Sequence, residues 1–303
     1  MTETARRDAT EHPQSADVLL CADDFAMTNG ISHAIIELAK AGRISATSAM
    51  TTSPHWPSHA TWLARVRGHI ATGLHLNLTL GAPLRPMATL APNRRFGTIG
   101  EMTARALLGR IDRTELRAEI ERQLAAFESE LGFAPDHVDG HQHVHVLPVV
   151  RTVLLDVLAA RYAGRPHRPL LRDPGDSAAR ILARGRAGRK AATLAFLSRG
   201  FGAAARTAGY ACNEGFGGVT DFGVASVAQD FAAACRAPGP RHLVMCHPGF
   251  VDEELARLDP VTQRRQCEFD ALMRKTFPLP LWHPQRSASG DPIPWQTAWT
   301  VTP

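Results

Sequence analysis

Cysteine is scarce and scattered: the five at Cys21, Cys212, Cys235, Cys246 and Cys267 include no CxxC pair. An odd, dispersed set excludes a disulfide framework and a zinc-finger spacing, and fits a reducing compartment. Aromatic residues make up only 6% of the chain, with two tyrosines, which argues against a platform for stacking nucleotide bases. The formal charge is +5, mostly from arginine that is not gathered into one long run, so nucleic acid is not an expected partner. No apolar run is long enough to span a bilayer, and the polar start "MTETARRDATEHPQSAD" lacks the core of a signal peptide. A cytoplasmic protein is expected, with a disordered tail over 1–16 and one domain over 17–303. No GxGxxG follows the first strand, and "GFGG" at 215–218 stands isolated, which removes the usual dinucleotide reading.

What is present is an alternation. Apolar, β-rich runs at 17–22, 44–52 and 70–80 alternate with helical stretches at 31–42 and 58–66. Thr28 or Asn29 is expected to cap the first helix, and Thr114 a long amphipathic helix over 115–132. The stretch 81–108 reads as loop. Later strands are expected within 136–145, 166–173 and 241–249, and helices over 146–162, 176–207, 220–237 and 259–275. Strand–helix alternation is the signature of a parallel sheet, and roughly seven strand-like runs favour an α/β barrel of irregular form.

The polar residues of interest fall at the C-terminal ends of these strands: Asp23 and Asp24, His75, His141 with His143 and His145, Arg172, and His247. Singly, each has an ordinary explanation. His75 alternates with leucines as a core histidine does, Asp139 suits a turn cap, Arg172 suits any surface carboxylate, and His247 precedes Pro248-Gly249 as a turn residue would. In a parallel α/β fold, however, strand C-termini converge on one face, where sites are built. Their joint placement points to a shared metal site.

Four motifs in order, "CADDFAMTNGIS", "GLHLNLTLGAPL", "DHVDGHQHVHVLP" and "VMCHPG", resemble the YdjC-like carbohydrate deacetylase family. Its members include chitooligosaccharide deacetylases and a hopanoid-biosynthesis-associated branch. The resemblance covers about 17–150 and again 241–260. It implies an irregular TIM-like (β/α) barrel that removes acetyl groups from N-acetylated sugars with a divalent metal. By motif, Asp24, His75 and His141 would bind the metal, Asp23 would be the base, His247 the acid, and Arg172 a further catalytic residue. The family's usual "ADDFG" reads "ADDFA" here, so a left-handed backbone at Ala26 would carry strain.

The chemistry suits these residue types. A divalent ion acidifies water towards ~7 and polarises a carbonyl, and two imidazoles with one carboxylate leave positions open for both. Such an ion would also keep neighbouring Asp23 ionised. Since adjacent strand residues point oppositely, a bulge or turn must bring both aspartates to the site. Imidazole favours zinc; magnesium and manganese stay open. Two rivals share the ligand set: an inactive glycan-binding barrel, and a 2-His-1-carboxylate Fe(II) oxygenase, against which the βα alternation speaks. Expected partners are an N-acetylated sugar or glycolipid, with a homodimer left open. The basic stretch 178–209 carries seven cationic residues, no acidic one, and interleaved apolar residues. It reads either as barrel helices or as a peripheral contact with an anionic membrane.

Overall fold

The computed structural model describes residues 17–286 and 291–299; the expected tail at 1–16 lies outside the described residues. Among the described residues seven strands build one all-parallel sheet: β1 (Leu19–Phe25), β2 (Ala46–Ala49), β3 (Ala71–Leu76), β4 (His137–Gly140), β5 (Leu170–Leu171), β6 (Gly215–Gly217) and β7 (His242–Cys246). Their order is β5-β4-β3-β2-β1-β7-β6. Every residue of β1 is buried, which explains its unbroken apolar run: Leu20 and Ala22 face the helical layer, while Leu19 and Cys21 face the concave interior.

The expected closed barrel is not formed; the sheet curls into a half-barrel whose edges are β5 and β6. Those strands have two and three residues, and β5 is hemmed by Pro169 and Pro174, which have no N–H for a ladder. Among the described residues one isolated bridge, Leu171 to Cys212, and side-chain bonds such as those between Asn213 and the Asp173 backbone cross the gap. β6 is the "GFGG" stretch, which has too little side chain to announce a strand.

Several helices depart from expectation. A helix at Ile99–Leu107 occupies part of the supposed loop, capped by a reciprocal Thr98–Glu101 box that the spacing "TIGE" contains. Asp112, not Thr114, caps the helix Arg113–Leu131 through the N–H groups of Thr114 and Glu115. Thr28 caps Asn29–Lys40 as expected. The basic stretch splits into Ala178–Arg184, Gly188–Leu197 and Phe201–Thr207, broken at left-handed Gly185 and Gly200. Among the described residues no helix is long and apolar enough to cross a membrane.

The interior beneath the strand N-termini is plugged by the end of the chain. Trp282, Trp295 and Trp299 pack with Leu19, Ala46, Ala71, Leu170 and Leu243. Trp295 donates its indole N–H to the Asp136 carbonyl at 2.6 Å, and Val18 exchanges backbone bonds with Pro280 and Trp282. The plug leaves the opposite end, where the strands finish, open.

Candidate metal centre

The doubled aspartate is resolved by backbone conformation. β1 pairs regularly with β2 up to Ala22, and the register then shifts before Phe25. Within that bulge Asp24 takes φ 69, and Ala26, just past the strand, takes φ 72. The left-handed turn at Asp24 reverses the alternation that would send neighbouring side chains to opposite faces. Both carboxylates therefore reach one site, buried at 2% and 1% exposure. A glycine at position 26 would take this backbone without strain.

Asp24 meets two histidines. Its Oδ1 lies 3.2 Å from Nε2 of His75, at the end of β3, and accepts from Nδ1 of His141 at 3.0 Å, just past β4. One donor atom from each of the three residues falls within a 4.8 Å cluster. Separations near 3 Å are those of neighbouring ligands around one ion with bonds of ~2 Å. The outer partners agree. Nδ1 of His75 donates to Asp139 Oδ1 at 2.6 Å, with Ser48 Oγ 3.0 Å away, so Nε2 is the nitrogen turned to the site. A carboxylate behind a histidine in this way fixes its ring and tautomer for metal binding. The residues present fit a divalent cation.

The charges are unevenly shared. Burial opposes a charge on His75, yet Asp139 and Asp24 outweigh it and raise its pKa to about 10. Burial likewise opposes ionisation of Asp24, but Arg265 and His141 hold its carboxyl well below the usual range. Arg265 comes from the helix Gln263–Arg274 and donates to Asp24 Oδ2 at 2.7 Å and to Asp259 at 2.5 Å. Nothing in "TQRRQ" marks it as a site residue. Asp139, which suited a turn cap, is instead the partner of His75, because β3 and β4 pair these two residues in register.

Asp23 also comes within 4.8 Å of a His75 nitrogen, in a group with Asp139, but its oxygens are held differently. Both its oxygens accept from Arg172, at 2.6 and 2.7 Å, in a bidentate fork. The same guanidinium reaches Asp139 Oδ2 at 2.5 Å and is wholly buried. Arg172 thus pairs with interior carboxylates behind the cavity rather than a surface one, linking the site's two acidic arms. His145 supports it from below, donating Nε2 to the Arg172 carbonyl at 2.9 Å; burial lowers its pKa to about 4 and keeps it neutral. The "HQHVH" tract therefore divides: His141 joins the triad, His145 buttresses β5, and His143 faces the cavity.

That cavity, about 880 Å³, lies over the strand ends. Asp23, Asp24, His75, His141 and His247 line its floor, and Leu194, Leu197, Val219 and Val261 part of its walls. His247 follows β7, its backbone N–H held by Glu268 Oε2 at 2.6 Å. Five of the six expected residues share this cavity, and the sixth, Arg172, grips one of them from behind.

Arg184 is buried against Asp176, and Arg180, Arg186 and Lys190 pair with Asp176, Asp230 and Asp221, all from outside 178–209. Leu182 and Phe196 nonetheless stay exposed, at 78% and 71%.

A family model described as YdjC-like protein matches residues 17–279. A human protein named carbohydrate deacetylase is 38% identical over 165 residues, 52% of this chain and 50% of that protein. A Yersinia pestis protein named chitooligosaccharide deacetylase is 35% identical over 134 residues, 44% of this chain and 52% of that protein. The chain thus spans about half the length of the curated relatives it matches. A solved Enterococcus faecalis structure, named for cellobiose-phosphate cleavage, superposes with a TM-score of 0.62 at 21% identity, over 86% of this chain and 92% of that one. At that identity the likeness shows the fold alone.

Proposed function

The chain belongs to the YdjC-like family, and from that premise we propose that it is a metal-dependent hydrolase that removes the acetyl group from an N-acetylated sugar. The observation that carries this reading is the split of the Asp23–Asp24 pair. Asp24 sits with His75 and His141, Asp23 sits in the Arg172 fork, and His247 lines the same cavity. Two adjacent carboxylates with different partners suit different tasks.

Asp24, His75 and His141 would hold the ion. When bound, a divalent cation polarises the acetyl carbonyl and acidifies water. Asp23 takes the proton from the attacking water, and Arg172 orients its two oxygens without touching substrate. His247 donates a proton to the amine nitrogen as the C–N bond breaks, leaving acetate and a free amino sugar. The imidazole donors favour zinc, with magnesium or manganese compatible with the carboxylate. The proposal places this chemistry in one domain over 17–303, working in the cytoplasm, with a homodimer compatible with it. An all-parallel sheet does not favour the Fe(II) oxygenase reading, and the presence of both Asp23 and His247 does not favour an inactive binding barrel.

The test is acetate release from a panel of N-acetylated sugars, alongside metal analysis of the purified protein. Stoichiometric metal and acetate from at least one sugar are expected; metal-loaded protein that releases none from any would overturn the reading. Exposed Leu182 and Phe196 favour a second reading of the substrate, a glycolipid met at an anionic bilayer. Vesicle co-sedimentation that weakens with salt supports it, and equal sedimentation with neutral and anionic vesicles rejects it.

A further inference from the structure

The loop after β6 holds a bulky residue where the backbone disfavours one. Phe222 takes φ 60, a left-handed conformation that costs a β-carbon residue free energy and that asparagine or glycine would adopt more readily. The loop is clamped from both sides. Lys190 reaches Asp221 Oδ1 at 3.0 Å and the Thr220 carbonyl at 3.1 Å, while Arg264 donates to the Gly223 carbonyl at 2.5 Å. Arg264 is itself tied to Glu268, which holds the backbone N–H of His247. The clamp thus fixes the Phe222 ring relative to His247: the centroids lie 5.6 Å apart with planes at 74°. Burying a ring does not account for the strain, because Phe222 is half-buried and faces the cavity. Among the described residues it is the only Phe, Tyr or Trp that lines that cavity.

We infer that Phe222 is the platform on which the pyranose ring of the substrate stacks, setting the N-acetyl nitrogen beside His247. The inference rests on the deacetylase reading and adds the residue that selects a ring. Lys190 Nζ stands over one face of the ring, 5.4 Å from its centroid, so the C–H face of a pyranose would lie on the other, which a flat aromatic surface matches. The other apolar side chains of the wall, Ile99 and Pro260 among them, offer no aromatic plane. Polar groups elsewhere in the cavity would bind an open-chain amide as well as a cyclic one. Strain held by two ion-paired clamps secures the angle of the ring, and angle is what stacking requires.

The test compares Phe222→Asn, which removes the ring but tolerates the left-handed backbone, with Phe222→Tyr. Both should retain the metal content of the wild-type chain. On a β-linked N-acetylglucosaminide, Phe222→Asn should raise KM about tenfold while Phe222→Tyr stays near wild type. The ring-opened alditol of N-acetylglucosamine, used as a competitor, should inhibit wild type and Phe222→Asn alike. An unchanged KM in Phe222→Asn, an equal loss in Phe222→Tyr, or a parallel loss of alditol inhibition would each overturn the inference while the deacetylase reading stood. If the wild-type chain releases no acetate from any N-acetylated sugar, that reading fails first and stacking falls with it.

Discussion

Adjacent carboxylates with separate partners should respond separately to the same change. Asp24→Asn removes an anionic acceptor, and proposed metal ligand, that two histidines and Arg265 share, so metal content should fall to near zero. Asp23→Asn leaves that triad intact and should keep the metal while turnover drops by about 10²–10⁴-fold, the range for a lost general base. Equal metal content in the two variants would refute the division. Asp139→Asn acts one step back: losing the 2.6 Å bond to His75 should weaken metal affinity by about 10–100-fold with the ligands untouched. Isothermal titration of metal into each variant reads all three. His75 also sets a pH dependence. Its folded pKa is raised, from 6.5 to about 10, so without metal its contribution to stability is complete below 6.5 and is lost as pH rises through 10. A cation must displace that proton, so affinity should rise with pH across this window. Thermal melts of metal-free and loaded protein should therefore diverge as pH rises, and a constant gap between them would contradict the shift.

Among the elements, β1 shows how a local irregularity makes a site. A regular strand would have sent Asp23 and Asp24 to opposite faces; the bulge with φ 69 at Asp24 prevents it. The same turn leaves Ala26 at φ 72, where a β-carbon costs about 1–2 kcal/mol. Against this, glycine adds unfolded-chain entropy of about 0.4–1 kcal/mol. The balance favours Ala26→Gly, which should raise the melting temperature slightly with unchanged KM; a lower melting temperature would show that the alanine is compensated by its buried packing. The segment after β4 makes a similar turn, with Gln142 and His143 both left-handed, so that three histidines two residues apart serve three different places.

For the molecule as a whole, the two ends of the half-barrel are separate in function. The tryptophan plug seals the strand N-termini and the cavity opens at the C-termini, with the sheet between them. Trp295→Ala should therefore cost about 3–5 kcal/mol of stability through lost packing. The folded fraction should keep its metal content and KM, as denaturant melts and titration of the same sample would show. A loss of metal affinity in the folded protein would mean that the plug also shapes the site.

Much of this was written in the chain itself. Period-two and period-3.6 patterns placed the parallel sheet, and chemistry-bearing residues at strand ends marked Asp23, Asp24, His75, His141 and His247, because parallel strands must finish on one face. Caps with a side-chain signature, such as Thr28, could be read directly, and the one at Thr98 was there to be read. Closure of the barrel could not be read, since it depends on whether β5 and β6 are long enough to pair across a gap of forty-odd residues of chain. Arg172 was marked at a strand end too, but neither its fork on Asp23 nor the partners Asp139 and Arg265 could be read: each is fixed by a buried fork, a register or a helix rotation between residues far apart in sequence. The basic stretch shows the same limit, because the acids that pair with it lie outside it, at Asp176, Asp221 and Asp230. Local pattern determines which residues end a strand; only packing in three dimensions decides which charges then face one another.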